Sequence, residues 1–184
     1  MFFPKTRQHS LNDCGVAAFG AMLKYYGVIL NEVDLYERLK ISKNNSASPI
    51  LMSTIAEELG FDVVDKQNMT IGDLKKNIDS DIPVLMPLQA WYKDIKMADF
   101  SKDNNGHYVV AIGYGLSRIY FEDPSNVGYS YLDVEELMDR WHDQDIDENK
   151  YVRYGIILKG KKPAYVPTFE ERISILFPIY QHMD

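Results

Sequence analysis

The sequence has little cysteine and no long apolar run, and each shortage excludes a class of protein. One cysteine in 184 residues excludes an internal disulfide framework and a structural zinc site built on several thiolates. No apolar run approaches the roughly 18 to 20 residues of a membrane-spanning helix, and the first ten residues lack the apolar segment of a signal peptide. We therefore expect a cytoplasmic protein without a membrane span.

Basic residues are outnumbered by acidic ones. The chain has 20 Lys and Arg against 27 Asp and Glu, a formal charge of -7. Because phosphate-rich partners require a basic surface, we expect neither nucleic acid nor an anionic membrane as a partner. With 46% hydrophobic residues, the chain is able to bury a substantial core, and a single domain over residues 1–184 is the simplest organisation.

The first half of the chain predicts helices and the second half predicts strands. Helical spacing of apolar residues follows Cys14 and stops at Gly27, with Asn12 or Asp13 as the amino-terminal cap. Further helices are predicted over residues 31–39, from Ser48 and Pro49 to Gly60, from Thr70 with Asp73 completing a capping box, and over 133–141. Strands are predicted over residues 82–88, 107–114, 118–123 and 151–160. This order favours an α+β fold, with helices packed on a mainly antiparallel sheet.

Cys14 stands where a polar segment gives way to the first predicted helix. A thiol at the amino end of a helix feels the positive end of the backbone dipole, which favours the reactive thiolate. A single free cysteine is also commonly a small apolar core residue. Considered alone, Cys14 is compatible with both interpretations, and the core is the more common one.

His107 and Asp123 occupy the two ends of a predicted hairpin. His107 opens an apolar strand after a polar loop, and Asp123 ends the next strand after a short turn. Antiparallel pairing places the start of one strand beside the end of the other, so the two side chains are predicted to lie within reach. A histidine can take a proton from a thiol, and a carboxylate can orient that histidine. Separately, each residue is also compatible with a purely structural role.

Together with Gln8, these residues form a candidate nucleophilic site. Cys14 supplies a nucleophile, His107 a base and Asp123 an orienting acid. The Gln8 side-chain amide and the Cys14 backbone amide are candidate donors to a developing oxyanion. A surface glutamine is the simpler alternative for Gln8.

Three segments resemble the C39 family of papain-like cysteine peptidases. These are "QHSLNDCGVAA" with the following "MLKYYG", then "GHYVVAIGY", and finally "FEDPS"; together the match extends over about residues 8–158. The family includes peptidase domains of bacteriocin-processing ABC transporters and many stand-alone bacterial proteins. The segment "GYSYLDVEELMDRWHD" is similar to the stand-alone C39-like branch.

The resemblance implies a papain-like fold with a peptidase core over about residues 8–160 and a tail over 161–184. It implies Cys14 as nucleophile, His107 as general base and later acid, Asp123 as its orienting residue, and Gln8 in the oxyanion hole. The expected reaction is peptide-bond cleavage through a thioester acyl-enzyme, with a peptide or protein substrate and no metal or organic cofactor. In the long loop before His107, Trp91 and Tyr92 are candidate substrate-binding residues, and aromatic packing is the more common alternative for both.

Two alternatives to a peptidase remain at this stage. A related acyl-transfer enzyme or amidase would share the same fold and core chemistry, so only its substrate would distinguish it. A degenerate peptidase fold kept as a binding or regulatory module would need no catalysis. The presence of all four candidate residues argues against that module, since binding alone does not require them.

Overall fold

The computed structural model describes residues 1–10, 12–42, 46–90, 105–169, 171–172 and 178–183. Within these ranges the chain forms five helices and nine strands. The helices are α1 (Cys14–Tyr25), α2 (Glu32–Arg38), α3 (Pro49–Glu58), α4 (Ile71–Asp79) and α5 (Val134–Arg140). The strands are β1 (Asp62–Lys66), β2 (Val84–Gln89), β3 (Gly106–Tyr114), β4 (Arg118–Glu122), β5 (Tyr129–Asp133), β6 (His142–Gln144), β7 (Lys150–Val152), β8 (Gly155–Lys159) and β9 (Tyr180–His182).

Seven of these strands form one sheet in the order β1-β8-β2-β3-β4-β5-β9. All neighbours are antiparallel except β5 and β9, which are parallel. Strands β6 and β7 pair separately. The α+β expectation is confirmed, and the predicted hairpin is the β3–β4 pair.

The central strand β3 separates two apolar cores because its side chains alternate between the faces of the sheet. Tyr108 and Val110 join the core that contains α1 and its Cys14. Val109 and Ala111 join the opposite core, which includes residues of α4 and α5. The helix predicted to bear the nucleophile is therefore packed against one face of the strand that begins beside His107.

The predicted punctuation of the helices is largely confirmed. Thr70 accepts a hydrogen bond from the backbone amide of Asp73, whose carboxylate accepts from the Thr70 amide, and this is the predicted capping box. Gly27 and Gly60 follow their helices with φ of +76° and +80°, a conformation that glycine adopts without strain.

The prediction of one strand over residues 151–160 was wrong, because this segment forms two strands. Lys150–Val152 pairs with His142–Gln144, whereas Gly155–Lys159 enters the main sheet beside β1 and β2. The break falls at Arg153, whose φ of 46° is incompatible with a continuous strand. The sequence analysis also missed strands β1, β5, β6 and β9.

The described part of the tail after residue 160 packs on the body. The backbone amides of Ala164 and Tyr165 both donate to the carbonyl oxygen of Tyr25, at 3.0 and 3.1 Å. Further on, β9 adds a parallel edge to β5. Over the part of the chain that is described, no helix combines the length and apolar character needed to cross a bilayer.

Candidate active site

Cys14 is the first residue of α1, and its side chain is buried at 5% exposure. The glycine that follows it allows a close approach to the neighbouring helix. A Cβ atom at Gly15 would lie 2.6 Å from the Cβ of Ala47 and 2.9 Å from the Cε of Met52, closer than packed carbon atoms approach. Gly15 thus fixes how deeply the start of α1, and with it the thiol, enters the core.

His107, near the start of β3, lies beside Asp123, the residue that directly follows β4. The ring Nε2 lies 2.8 Å from Asp123 Oδ1, and both side chains are almost completely buried. The imidazole also interacts with the Cys14 side chain through a hydrogen bond. Since Asp123 engages Nε2, Nδ1 is the ring nitrogen left for the thiol. The structure therefore brings together the three residues that the sequence placed at a helix start and two strand ends.

The surroundings of His107 favour its charged form. Burial by itself lowers the pKa of His107, but hydrogen bonds to Asp123 and Cys14 and the charges of both groups outweigh it. The net result is a pKa raised to about 9. At neutral pH the arrangement therefore favours an imidazolium beside the Asp123 carboxylate.

Asp123 is the centre of a hydrogen-bonded network that the sequence analysis missed. Besides His107, its carboxylate accepts from Ser125 N at 2.9 Å and Oγ at 2.6 Å, Asn126 Nδ2 at 2.9 Å and Ser130 Oγ at 2.7 Å. Burial raises the pKa of Asp123, but hydrogen bonds from His107, Ser125 and Ser130 overcome this and lower it well below the ordinary range. The signal for the first two donors was the "DPSN" turn, where an aspartate accepts from the backbone two residues on.

Gln8 lies in the extended segment before α1. Its backbone amide donates to Pro124 O at 3.1 Å, and its side-chain Nε2 donates to Ser10 O at 2.8 Å. The same Ser10 oxygen accepts from the backbone amide of Asp13, the residue before Cys14, at 3.3 Å. The side-chain amide of Gln8 is thereby held at the start of α1. The carbonyl oxygen of Ser10 accepts from one of the two N–H donors of this side chain.

Comparison with family models assigns most of the chain. The model of the Peptidase C39 family matches residues 3–146. The chain belongs to this peptidase family. Comparison with curated protein sequences finds no match.

The fold of this C39 chain is also that of solved peptidase domains. A putative C39-like peptidase from Bacillus anthracis aligns with a TM-score of 0.65 and 18% identity, over 86% of this chain and 96% of that one. The peptidase domain of Streptococcus ComA, a bi-functional ABC transporter of a quorum-sensing pathway, gives 0.59 and 19%, over 84% and 96%. A double-glycine-motif protease from an AMS/PCAT transporter, solved with its leader peptide, gives 0.57 and 16%, over 88% and 92%.

One local prediction about the first helix of the C39 chain, α1, requires correction. Asp13 occupies the amino-terminal cap position of α1, but its side chain makes no capping hydrogen bond. The buried Asp13 carboxylate instead bonds the hydroxyl of Tyr36 in α2. Burial first, and then this hydrogen bond, raise the pKa of Tyr36. Asp13, the residue before the candidate nucleophile, is therefore hydrogen-bonded to α2.

Two predicted substrate-binding residues, Trp91 and Tyr92, lie outside the described residues, as does most of the loop before His107. Their role stays a prediction. Among the described residues of the C39 chain, no group of three or more His, Cys, Asp or Glu is arranged to hold a metal ion.

Proposed function

We propose that the chain is a cysteine peptidase in which Cys14 is the nucleophile. The observation that supports this most strongly is the buried His107–Asp123 pair, 2.8 Å apart, in contact with the single thiol of the chain. A buried carboxylate that engages one ring nitrogen orients the imidazole and leaves the other ring nitrogen for the thiol. Because a leader peptide is bound in the double-glycine-motif protease, a peptide is the substrate class that we propose here.

In the first half of the reaction the Cys14 thiolate adds to the scissile carbonyl carbon. The negative charge moves to the carbonyl oxygen, where the Gln8 side-chain amide and the Cys14 backbone amide are the proposed donors. The Cys14 amide belongs to the first turn of α1, whose N–H groups have no partner within the helix. His107 then protonates the leaving amine as the C–N bond breaks, and a thioester remains on Cys14.

In the second half, His107 removes a proton from water, which attacks the thioester. The C–S bond breaks, the carboxylic acid product leaves, and the Cys14 thiolate is regenerated. Asp123 keeps its charge throughout, because the donors around it hold it ionised. Its task is to orient the imidazole and to stabilise the imidazolium between the two halves.

The pH dependence of thiol alkylation tests the Cys14–His107 pair. A free cysteine, with a pKa of about 8.5, is less than about 1% thiolate at pH 6. We expect the wild-type protein at pH 6 to react with iodoacetamide about 100-fold faster than the His107→Ala variant. Since the chain has one cysteine, the incorporated label reports on Cys14 alone.

The matched control is His9→Ala, which removes an exposed histidine whose ring is paired with Glu32. This variant should be alkylated at the wild-type rate. Slow alkylation at pH 6 in all three proteins would contradict the proposed nucleophile. Cleavage of a peptide library by the wild-type protein, and its loss in Cys14→Ala, then tests the reaction itself.

A further inference from the structure

Glu122 is a buried acid that the proposed mechanism does not use. Its side chain is fully buried at the end of β4, directly before Asp123. Oε1 accepts a hydrogen bond from the backbone amide of Thr6 at 3.0 Å. Oε2 is buried with no hydrogen-bond partner among the described residues. Since a buried carboxyl oxygen without a partner reduces stability, the stability of the fold does not by itself account for this residue.

The Thr6 amide belongs to a short strip, residues 6–8, that lies along residues 122–124 at the end of β4. Three hydrogen bonds join the two stretches in order. They are Thr6 N to Glu122 Oε1 at 3.0 Å, Arg7 Nη1 to Asp123 O at 3.2 Å and Gln8 N to Pro124 O at 3.1 Å. The proposed oxyanion donor and the proposed orienting acid therefore lie on facing strips, and Glu122 provides the first link between them.

Thr6 also connects this strip to the catalytic helix. Its Oγ1 donates to the carbonyl oxygen of Ala17, one turn into α1, at 3.0 Å. Glu122, Thr6 and Ala17 thus form a continuous chain of contacts from the sheet to the helix that begins at Cys14. Gln8 lies two residues beyond the middle of this chain.

We propose that Glu122 is a positioning residue, which acts through Thr6 to hold Gln8 where it donates to the oxyanion. This inference rests on the proposed function, because it assigns Glu122 a part in the same reaction. Glu122 makes no contact with the reacting atoms. Its effect is confined to steps in which a carbonyl oxygen gains negative charge.

The charge state of Glu122 agrees with this role. Burial raises the pKa of Glu122 to about 8, and Asp123 adds to the rise, whereas the Thr6 hydrogen bond and the charges of Arg7 and Lys5 oppose it. Tyr129 and Tyr165 also lie within electrostatic range. At neutral pH Glu122 is therefore an uncharged acceptor, which a glutamine can replace.

Two reagents separate oxyanion stabilisation from thiol reactivity. p-Nitrophenyl acetate acylates Cys14: the Sγ–C bond forms, the bond to p-nitrophenolate breaks, and the carbonyl oxygen is transiently negative. Iodoacetamide alkylates the same atom with loss of iodide and forms no oxyanion. The ratio of the acylation rate to the alkylation rate therefore reports on the oxyanion donors.

Glu122→Met removes the acceptor at similar length, and Glu122→Gln keeps it. We expect Glu122→Met to lower the acylation rate about 10- to 100-fold with alkylation unchanged, because a displaced donor loses part of its effect. Glu122→Gln should keep the ratio within about threefold of the wild type. In a Gln8→Ala background, Glu122→Met should have no further effect, since both changes remove the same donor.

Thr6→Ala tests the same chain of contacts from its helix end, at a half-buried position. It should lower the acylation rate in preference to the alkylation rate, as Glu122→Met does. An equal loss of both rates, or unchanged acylation in Thr6→Ala and Glu122→Met, would overturn the inference while leaving the proposed function intact. An unreactive wild-type thiol would instead overturn the proposed function, and this inference with it.

Discussion

Glu122 and Asp123 are consecutive, both fully buried, and surrounded in opposite ways. The Asp123 carboxylate accepts hydrogen bonds from five donor atoms: His107 Nε2, Ser125 N, Ser125 Oγ, Asn126 Nδ2 and Ser130 Oγ. The Glu122 carboxyl accepts one, from Thr6 N. Burial favours the neutral acid at both positions, yet the pKa of Asp123 is lowered and that of Glu122 is raised to about 8. The donors around each carboxyl group, together with the charge of His107 beside Asp123, therefore decide which of the two is charged, and the depth of burial does not.

This difference matches the tasks that we propose for the two residues. A charged Asp123 stabilises the imidazolium of His107, as the mechanism requires. A second charge at Glu122 would add to the field at His107 and hold its proton more strongly, which would oppose proton release to the leaving amine. An uncharged Glu122 fixes the Thr6 strip without that effect.

The largest expected effect is that of removing the charged member. Asp123→Ala leaves the buried side chains of His107 and Ser130 without their acceptor, so we expect the free energy of unfolding at pH 7 to fall by about 3 to 5 kcal/mol. Urea denaturation measures it. The control is Asp133→Ala, since Asp133 is half exposed and paired with Arg118; it should change stability by less than about 1 kcal/mol. Similar stabilities for the two variants would contradict the stabilising role of the charged Asp123 and its contrast with Glu122.

The charged half of this comparison was largely predictable from the sequence. A short turn between two β-rich segments sets an antiparallel pairing, which places the start of β3 beside the end of β4 and so brings His107 near Asp123. The position of Cys14 at a helix start likewise follows from the local change from polar to apolar residues. These features depend on contacts between neighbours along the chain or across one hairpin.

The neutral half was not predictable in this way. The Glu122 contact joins residues 116 positions apart, and nothing in "YFED" distinguishes a buried acid from an exposed one. Ser130 was missed because its strand, β5, is short and polar for a strand, and it is fixed by pairing with β4. Such contacts depend on tertiary packing, which overrides local propensity.

The next effect follows from the neutral member and depends on pH. Below about pH 4.5 the acid at Glu122 is protonated in both the folded and the unfolded chain. Between pH 4.5 and 8 the unfolded chain loses this proton and the folded chain keeps it, so the wild type loses stability as the pH rises. Glu122→Gln removes this loss. Its stability relative to the wild type should rise by up to about 4 kcal/mol over that range and then level off.

Urea denaturation at a series of pH values measures this difference, with Glu135→Gln as the control. Glu135 is an exposed carboxylate at the start of α5, and its neutralisation should shift stability by less than about 0.5 kcal/mol at every pH. A Glu122→Gln difference that is independent of pH would mean that Glu122 is ionised in the folded protein. The contrast with Asp123 would then be lost.

The smallest expected effect comes from removing one of the five donors to Asp123. Ser130→Ala deletes the hydroxyl that donates to Oδ2 at 2.7 Å, and Asn126 still donates to the same oxygen. Because the pKa of Asp123 is lowered in the folded protein, its charged form stabilises the fold at pH values above the ordinary pKa of a carboxyl group, and this stabilisation is lost on acidification. Deleting one donor should therefore lower the free energy of unfolding by about 1 kcal/mol at pH 7. That difference should shrink as the pH falls through the titration of Asp123, so acid unfolding begins at a higher pH in the variant.

Ser80→Ala, which removes an exposed hydroxyl bonded to Lys76 O, should change neither quantity. A Ser130→Ala protein with wild-type acid unfolding would show that the remaining donors suffice, and that the charge of Asp123 is held by His107 and the "DPSN" turn alone.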